Sequence, residues 1–383
     1  MLFLYALAML ARVKLARLSF YAGFVVGFAA YAPQLAFFWT IFGPPAVALW
    51  AILSFWTGLF VLLAFQARRQ FAPALSVMVL PLLWMGIEYF RCELYYLRFA
   101  WLTPGLAFAN GEGVSILSQV GVYGIGFLLM TMAAFLTLLP PRVAAALGLS
   151  LALAGGFRSV SSLPAVSPSH AATTVMVAGV QVEFPVELEV PLLLDKALAE
   201  SPTAQLFLLS EYVFDGPIPR RVKDWCKRNR RYLIAGGKDV ISGTEYYNTA
   251  FVVGPSGDVV FQQAKSIPIQ FFRDGLPARE LRPWDSPWGK LGICICYDLS
   301  YSRVTDALVR QGARALLVPT MDVADWGEHE HHLHARVAPV RAAEYGIPIF
   351  RVASVLSLKS VSFCCAQMIC RRGVTKEHSC SAL

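Results

Sequence analysis

The sequence predicts an α-helical transmembrane bundle followed by an α/β sandwich domain, and three observations support this prediction. Of the 383 residues, 56% are hydrophobic and only 15% are charged, with a mean hydropathy of +0.54. Soluble globular domains usually carry about 25% charged residues. The charges are also uneven, because 7% of residues 1–157 but 21% of residues 158–383 are charged. Finally, β-branched runs alternate with helical segments only in the second part. The numbers exclude a disordered chain, a coiled coil and a small disulfide scaffold.

Four stretches of the first part lack charged residues, as transmembrane helices do: 18–67, 70–87, 113–141 and 143–157. A spanning helix needs about 20 apolar residues, and its backbone hydrogen bonds are satisfied internally. Because Gly43, Pro44 and Pro45 divide the first stretch, we predict five spans, at residues 18–42, 46–66, 71–88, 114–139 and 142–158. Residues 1–11 are apolar but too short to span, which indicates a signal-like start or the remnant of an earlier helix.

Basic residues next to the spans predict the orientation of this part. They form three clusters, which are Arg12, Lys14 and Arg17, then Arg68 and Arg69, then Arg142. With five spans the clusters lie on one side, which the positive-inside rule assigns to the cytoplasm. Residues 88–112 and everything after residue 158 are then expected on the opposite side. The net charge of +8 follows mostly from this topology, so we do not expect nucleic-acid binding.

The second part begins after a Ser- and Pro-rich linker. We therefore predict a membrane domain at 1–158, a linker at 159–172 and an α/β domain at 173–355. Short β-branched runs predict eight strands, at 173–182, 205–209, 232–235, 249–253, 259–262, 291–296, 315–318 and 347–352. Helices are predicted at 190–199, 220–231, 302–311 and 330–345. Such alternation is typical of an α/β sandwich with functional groups at strand ends.

Three strand ends carry reactive side chains. Glu211 follows the apolar run 206–209, and Lys265 follows a hairpin predicted over residues 248–262. Cys296 ends the run 291–296 and precedes Tyr297 and Asp298. Each has an ordinary interpretation, as a surface charge or a thiol that fills the core. Together they supply a base, a cation that stabilises an oxyanion, and a nucleophile.

The order of these residues resembles the nitrilase (carbon–nitrogen hydrolase) superfamily, whose triad is Glu, Lys and Cys in that chain order. The membrane part in front makes the whole chain resemble the apolipoprotein N-acyltransferase family. The resemblance covers about residues 20–355 and implies a nitrilase-like αββα sandwich behind the transmembrane bundle. It implies that Glu211 is the general base, Lys265 stabilises the oxyanion and Cys296 is the nucleophile.

Segments of the membrane part are similar to that family's extracytoplasmic loop and next helix. They are residues 84–91, 99–102 and 119–126, which read WMGIEYFR, FAWL and QVGVYGIG. The resemblance implies further residues that support the reacting groups or bind substrate: Tyr297, Asp298, Glu88, Arg91, Gln119 and Glu344.

The resemblance also implies a reaction and a location. A fatty acyl chain would move from a phospholipid, through a cysteine thioester, to the N-terminal amine of a diacylglyceryl-cysteine lipoprotein. The partners are then a phospholipid acyl donor, a lipoprotein acceptor and membrane lipid, with no cofactor, metal or nucleic acid. The chain would be a multi-pass protein of the bacterial inner (plasma) membrane, with its catalytic domain on the periplasmic side.

The sequence departs from the family pattern at two places. The family commonly has a further essential glutamate in a Val-Pro-Phe-Gly-Glu type run after the lysine. Residues 267–275 here read IPIQFFRDG, so Asp274 could substitute only if the loop is rebuilt. The family also ends in another membrane helix, whereas we expect a divergent tail over residues 356–383.

Histidines and cysteines suggest no cofactor site of their own. His331 and His334, with Glu328 or Glu330, could ligate zinc, but they lack the HExxH spacing that brings two ligands to one helical face. We therefore expect a polar helix start at the rim of the site. The eight cysteines show no double CxxC pattern, and no disulfide pairing can be assigned.

Two alternatives to the acyltransferase remain at this stage. A membrane-tethered nitrilase-like amidase or hydrolase would pass the acyl group to water. A catalytically silent scaffold of the same fold would keep the architecture without the reaction, and the altered run after Lys265 favours that interpretation. Incubation with labelled phospholipid would separate them: an acyl adduct on Cys296 indicates the acyltransferase, hydrolysis of small amides without an adduct indicates the hydrolase, and neither activity indicates the scaffold.

Overall fold

A computed structural model describes residues 1–109, 114–140, 142–143, 174–354 and 363–369 of the chain. It contains two compact units, Met1–Ala165 and Val166–Leu383. The predicted fifth span at 142–158, apart from its first two residues, and the predicted linker at 159–172 lie outside the described residues. The domain limits given above therefore stay predictions.

The described part of the first unit is helical. Its α-helices are α1 (Leu2–Leu10), α2 (Ala16–Gln34), α3 (Phe37–Phe42), α4 (Pro45–Gln70), α5 (Pro73–Tyr89) and α6 (Val114–Leu136). A π-helical turn, Phe90–Leu94, continues α5, and a 3₁₀ turn covers Pro104–Phe108. By length and composition, three stretches among the described residues could cross a membrane: Pro45–Gln70, Pro73–Leu94 and Ile116–Leu136.

The first predicted span differs from the structure, because residues 18–42 are not one helix. Helix α2 ends at Gln34, directly after Pro33, and α3 begins at Phe37. Pro33 lies in the last turn of α2 and removes the hydrogen bond that an N–H there would give to the Ala29 carbonyl. The predicted fourth span is helical as α6, but Gly121 interrupts it with φ 68° and ψ 176°. Residues 2–10, predicted to be too short to span, form α1 and bury Leu4 and Leu7 in the bundle core.

Helices α2 and α4 approach closely because small residues face each other. A Cβ atom at Gly23 would lie 2.9 Å from the Thr57 carbonyl oxygen and 2.7 Å from Val61 Cγ2. The Thr57 hydroxyl donates a hydrogen bond to the Gly23 carbonyl at 3.0 Å. Within a membrane the hydrophobic effect does not drive helices together. Small residues such as glycine instead let two helix backbones pack closely.

Two of the predicted basic clusters contact the same residue. Arg12 donates to the Thr137 carbonyl, and Arg68 donates to the Thr137 hydroxyl at 2.9 Å. Thr137 follows the last residue of α6, where unpaired carbonyls attract cations. Arg12 and Arg68 therefore lie at one end of the helical bundle.

The second unit contains two mixed β-sheets. Its strands are β1 (Thr174–Val180), β2 (Leu206–Leu209), β3 (Tyr232–Ser242), β4 (Glu245–Val253), β5 (Val259–Ala264), β6 (Trp284–Ser286), β7 (Gly289–Ile293), β8 (Ala315–Pro319), β9 (Ile349–Val352) and β10 (Phe363–Ile369). The first sheet has the order β10-β1-β2-β3-β4-β5, and the second has the order β6-β7-β8-β9. Strands β1, β2 and β3 are parallel, as are β7, β8 and β9.

Helices cover the outer faces of both sheets. They are α7 (Val190–Glu200), α8 (Arg220–Asn229), α9 (Ser302–Arg310), α10 (Glu328–Ala335) and α11 (Val337–Tyr345). Leu194 of α7 and Trp225 of α8 share a buried core with Phe207 of β2. The inner faces of the sheets meet where Gly179 of β1 lies against Val352 of β9, since a Cβ at Gly179 would lie 2.8 Å from Val352 Cγ2. These layers form the predicted αββα sandwich.

Each of the eight predicted strands overlaps an observed strand. The structure differs from the prediction at one strand end, in one helix and by one additional short strand before β7. The strand predicted over 291–296 ends at Ile293, and the predicted helix 330–345 is divided after Ala335. Pro339 explains this break, because it lacks the N–H that would bond the Ala335 carbonyl. The short strand β6 was not predicted.

The predicted divergent tail contributes a strand to the first sheet. Strand β10 lies within residues 356–383 and pairs antiparallel with β1, from Thr174 opposite Ile369 to Val180 opposite Phe363. The register covers all seven residues of β1, so this segment belongs to the sheet. The sequence alone does not predict this pairing, because the pattern of β1 does not indicate which strand lies next to it.

Candidate active site

Glu211 lies just after the end of β2, as its sequence context predicts. The strand is apolar and buried, and the chain leaves it through Ser210. A Cβ at Gly236 of β3 would lie 2.7 Å from Glu211 Cα, so only glycine lets the neighbouring strand pass this close. The next residue, Tyr212, has φ 54°. The Glu211 side chain is consequently buried inside the unit, with 1% of its surface exposed.

Lys265 follows the last residue of β5 and points into the same buried place. Its backbone N–H bonds the Asn248 carbonyl at 2.7 Å, which fixes the start of the loop after β5. The side chain is fully buried, and Nζ lies 2.9 Å from Glu211 Oε1 and 2.7 Å from Asp274 Oδ2. One ammonium group is therefore shared by two carboxylates.

Asn248 and Asp274 complete this charged cluster. Asn248 Nδ2 donates to Glu211 Oε1 at 2.6 Å and to Asp274 Oδ1 at 2.9 Å. Asp274 also accepts bonds from the Tyr212 hydroxyl at 2.8 Å and from the Ile269 N–H at 2.7 Å. Sequence reasoning left Asp274 open and did not name Asn248. The available signal for Asn248 was a polar residue next to the apolar run 249–253.

Cys296 occupies the turn between β7 and α9. It begins a 3₁₀ turn, Cys296–Ser300, and has φ 50°, a left-handed conformation that is rare outside glycine. Its Sγ faces the Met321 carbonyl oxygen at 3.7 Å, while the Met321 N–H donates to Glu211 Oε2 at 3.0 Å. The backbone of Met321 therefore contacts both the thiol and the carboxylate.

Asp298 connects the cysteine turn to the loop after Lys265. Its carboxylate accepts bonds from the Ile295 N–H at 3.2 Å, the Ser266 N–H at 3.0 Å and the Ile267 N–H at 2.7 Å. The neighbouring Tyr297 is buried and packs edge-on against Tyr301, with ring centroids 5.1 Å apart. Asp298 thus holds the segments that carry the thiol and the ammonium in one arrangement.

Glu344 acts on the same turn through Arg341. The buried Arg341 guanidinium donates to the Leu299 carbonyl at 3.2 Å and to the Ser300 carbonyl at 2.8 Å. Glu344 forms an ion pair with this guanidinium from the next turn of α11. Its contacts therefore support the turn that follows Cys296.

The three membrane-part candidates lie in the first unit and are described within it. Glu88 is 1% exposed, and its carboxylate packs against Gly126 of α6. Arg91 is also buried and donates to the Phe99 carbonyl at 3.1 Å. This hydrogen bond accounts for an arginine at position 91, outside the predicted cytoplasmic clusters. Gln119 is exposed on α6, two residues before the break at Gly121.

The buried charges shift one another's protonation. Burial raises the pKa of Glu211, which makes its carboxylate a stronger base, although Lys265 opposes this shift. Burial would lower the pKa of Lys265, but the Asp274 and Glu211 carboxylates raise it well above its ordinary value. Burial and the Glu211 charge raise the pKa of the Cys296 thiol. The resting site therefore holds a thiol, a basic carboxylate and a permanent cation.

An open cavity of about 450 Å³ adjoins these groups. It reaches Tyr212, which follows Glu211, and Met321, which contacts the Cys296 thiol and the Glu211 carboxylate. Its remaining walls mix aromatic and charged side chains, namely Phe184, Phe214, Tyr246, Lys238, Arg273, Asp215 and Glu187. The cavity therefore opens beside residues that adjoin or contact Glu211 and Cys296.

The two histidines considered for zinc have separate partners. His331 Nε2 lies 2.9 Å from the Val323 carbonyl oxygen, and His334 Nδ1 lies 2.7 Å from Asp322 Oδ1. Among the described residues, Asp322, Glu330 and His334 have donor atoms within 4.8 Å of one another. The Arg351 guanidinium, however, lies 2.5 Å from Asp322 Oδ2. A fixed cation thus already neutralises this carboxylate.

Comparisons with known proteins match both units. A family model described as apolipoprotein N-acyltransferase N-terminal domain matches residues 1–135, and one described as carbon-nitrogen hydrolase matches residues 186–371. The chain is 24% identical over 397 residues to an apolipoprotein N-acyltransferase of Geobacter metallireducens, covering 88% of this chain and 76% of that protein. It is 25% identical over 332 residues to one of Ralstonia nicotianae, covering 75% of this chain and 61% of that protein.

A solved structure also resembles the second unit. Nit3 of Saccharomyces cerevisiae, a member of branch 10 of the nitrilase superfamily, aligns with a TM-score of 0.44 and 15% identity. The alignment covers 53% of this chain and 93% of that one. The family matches and the two sheets confirm the predicted fold class: a carbon–nitrogen hydrolase domain with mixed sheets follows a helical part with three apolar candidate spans.

Proposed function

Because the chain belongs to the apolipoprotein N-acyltransferase family and is therefore a membrane N-acyltransferase, we propose that Glu211, Lys265 and Cys296 carry out its reaction. The acyl donor is a phospholipid, and the acceptor is the N-terminal amine of a diacylglyceryl-cysteine lipoprotein. The shared contacts of Met321 with Cys296 and Glu211 are the observation that carries this proposal.

The first half-reaction forms a thioester. Glu211 takes the proton of the Cys296 thiol, and the thiolate attacks the carbonyl carbon of the phospholipid ester. Lys265 stabilises the oxyanion of the tetrahedral intermediate, since its charge is held in a site without bulk water. The ester C–O bond breaks, Glu211 returns the proton to the leaving oxygen, and lysophospholipid departs.

The second half-reaction transfers the acyl chain to the amine. The neutral amine attacks the thioester carbon, Glu211 accepts a proton from the nitrogen, and Lys265 again stabilises the oxyanion. The C–S bond breaks, and the departing sulfur takes the proton from Glu211. The product is an N-acylated lipoprotein and the free thiol, which is the ping-pong pattern of a covalent enzyme.

The remaining candidates have supporting roles in this proposal. Asp298 and Tyr297 hold the cysteine turn, and Glu344 supports it through Arg341. We propose that Glu88, Arg91 and Gln119 serve the lipid substrates from the membrane part. The buried carboxylate of Glu88 supports this role, because ionisable groups within membrane segments are costly and usually functional.

We also propose a multi-pass arrangement with the catalytic domain on the periplasmic side. The chain belongs to a family of bacterial membrane proteins and has three apolar helical stretches among its described residues. Arg12 and Arg68 meet at Thr137, so the basic residues gather at one end of the bundle. This end is then cytoplasmic by the positive-inside rule.

The test is a search for the acyl-enzyme in membranes that contain the full-length chain. Incubation with acyl-labelled phospholipid should give a hydroxylamine-sensitive adduct on the Cys296 peptide, and acceptor lipopeptide should remove it. Cys294→Ala is the matched control, because Cys294 is an equally buried thiol two residues away. An adduct that survives in Cys296→Ala would overturn the nucleophile. Release of free fatty acid without transfer would favour the hydrolase.

A further inference from the structure

A buried group of charged residues lies directly behind Met321. Asp322, the next residue, is 1% exposed, and its backbone is fixed from both sides by Ser354. The Asp322 N–H donates to Ser354 Oγ at 2.9 Å, and the Ser354 hydroxyl donates to the Asp322 carbonyl at 2.7 Å. Met321, which contacts Cys296 and Glu211, is thus followed by a residue whose backbone is held on both sides.

The Asp322 carboxylate is held by two further side chains. His334 Nδ1 lies 2.7 Å from Oδ1, and Arg351 Nη2 donates to Oδ2 at 2.5 Å. Burial would raise the pKa of Asp322, but the Arg351 charge and the His334 contact lower it. Burial lowers the pKa of His334, so the imidazole is neutral and donates its Nδ1–H to the carboxylate. Asp322 is therefore an anion at neutral pH, bound on both oxygens.

We propose that Asp322, held by His334 and Arg351, is a positioning residue for acyl-enzyme formation, and that its charge and the Arg351 charge act in opposite directions on the Cys296 thiol. It fixes Met321, whose carbonyl faces the thiol and whose N–H binds the base. The proposal rests on the assignment of Cys296 as the nucleophile.

The effect of Asp322 and Arg351 on the Cys296 thiol follows from the charged groups around that thiol. Besides Asp322, the thiol faces Glu211 at the end of β2 and Lys265 after β5, the latter paired with Asp274. Arg351 comes from β9, and the Cys296 thiolate raises the pKa of that guanidinium. By reciprocity Arg351 favours the thiolate, whereas Asp322 disfavours it. The two charges therefore act on the thiol in opposite directions, while burial and Glu211 keep it protonated at rest by raising its pKa.

Asp322 and Arg351 carry opposite charges, so their neutral variants should shift the pH midpoint of Cys296 alkylation in opposite directions. A purely structural role of these residues would not produce opposite shifts. In full-length protein in detergent, the rate of Cys296 alkylation by iodoacetamide is measured against pH by mass spectrometry of the Cys296 peptide. Asp322→Asn should lower the midpoint of this profile by about one unit, and Arg351→Gln should raise it by a similar amount. Asp322→Glu keeps the charge, so its midpoint should lie above that of Asp322→Asn.

The positioning role of Asp322 is tested by the rate of acyl-enzyme formation in the same variants. Asp322→Asn and Asp322→Glu should both slow acyl-enzyme formation on the order of tenfold to a hundredfold, because each displaces Met321 from its two partners. Glu328→Gln, which removes an exposed charge from the same helix as His334, should change neither measurement.

Two results would overturn the proposal. One is a midpoint that moves in the same direction, or not at all, in Asp322→Asn and Arg351→Gln. If Arg351→Gln does not fold, the comparison of Asp322→Asn with Asp322→Glu decides, since equal midpoints would exclude the charge effect. The other is an unchanged acylation rate in both Asp322 variants. Alkylation needs no lipid, so it remains informative even if the proposed acyl transfer fails.

Discussion

The Lys265 ammonium lies 2.7 Å from the Asp274 carboxylate, closer than to Glu211. Asp274 belongs to the run that departs from the family pattern, nine positions after the lysine. The loop reaches Lys265 because Gly275 has φ 80° and passes tightly by Asn248, where a Cβ would lie 2.8 Å from the backbone nitrogen. A shorter acidic side chain thereby meets the lysine, and the departure alone does not argue for a silent scaffold.

Replacing Asp274 by asparagine should slow acyl-enzyme formation on the order of tenfold to a hundredfold. The change removes one of the two anions that keep Lys265 charged, and it lowers the pKa of the ammonium. Single-turnover acylation with labelled phospholipid measures the rate. Asp215→Asn is the control, since Asp215 is exposed and pairs with Lys238 on the cavity wall. Full activity in Asp274→Asn would show that the Asp274 contact is dispensable.

The sequence predicted the strands better than the contacts among the residues that follow them. Apolar runs reveal buried strands, and the residue after such a run is the one that reaches the sheet edge, which is why Glu211 and Lys265 could be named. Asp274 and Asn248 meet the lysine through a loop and a neighbouring strand, and this pairing depends on register that no local pattern encodes. Pro33 does not by itself predict the division of the first span, because Pro81 lies inside α5 without ending that helix.

Backbone strain also marks the site. Cys296 and Tyr212 both have left-handed backbones, with φ 50° and φ 54°, and they follow β7 and Glu211 respectively. A non-glycine residue in this region costs about 1–3 kcal/mol and persists only where surrounding contacts impose it. At Cys296 those contacts are the three N–H bonds to Asp298 and the Arg341 bonds to the turn. The sequence Cys-Tyr-Asp indicated the turn but not its backbone conformation.

Lys265→Met should abolish most acyl transfer, by on the order of a hundredfold to a thousandfold, because the oxyanion loses its cation. It should also destabilise the second unit, since Glu211 and Asp274 remain buried without a counter-charge. The double variant Lys265→Met/Asp274→Asn should recover part of the unfolding midpoint but none of the activity. Calorimetry in detergent and the acyl-adduct assay measure the two effects. A stable, active Lys265→Met would contradict the assigned role.

Gly23→Ala should destabilise the helical unit by about 1–3 kcal/mol, because the new methyl group meets the Thr57 carbonyl and Val61 of α4. Gly86→Ala is the matched control, since no atom lies within 4 Å of the Cβ it would add. Alanine there should leave stability unchanged or raise it by up to about 1 kcal/mol through its helix propensity. Thermal unfolding in detergent compares them. Equal effects of the two substitutions would contradict the close packing of α2 on α4.

Glu330→Gln should stabilise the protein increasingly as the pH rises. The Glu330 carboxyl is 1% exposed, and Oε2 has no hydrogen-bond partner among the described residues. Burial and the nearby Asp322 charge raise its pKa to about 9. The folded state then holds a proton that the unfolded state releases near pH 4.5, so this residue's contribution to stability is present below pH 4.5 and is lost as the pH rises towards 9.

Glutamine does not titrate, so the gain in unfolding free energy of Glu330→Gln over the natural chain should grow steadily between pH 5 and pH 9. Chemical unfolding in detergent at several pH values measures this difference. Glu328→Gln, an exposed position on the same helix, should show no such trend. A gain that stays constant with pH would mean that Glu330 is ionised in the folded state. In that case a nearby cation would neutralise it, such as a protonated His331, whose Nε2 lies 3.6 Å from Glu330 Oε2.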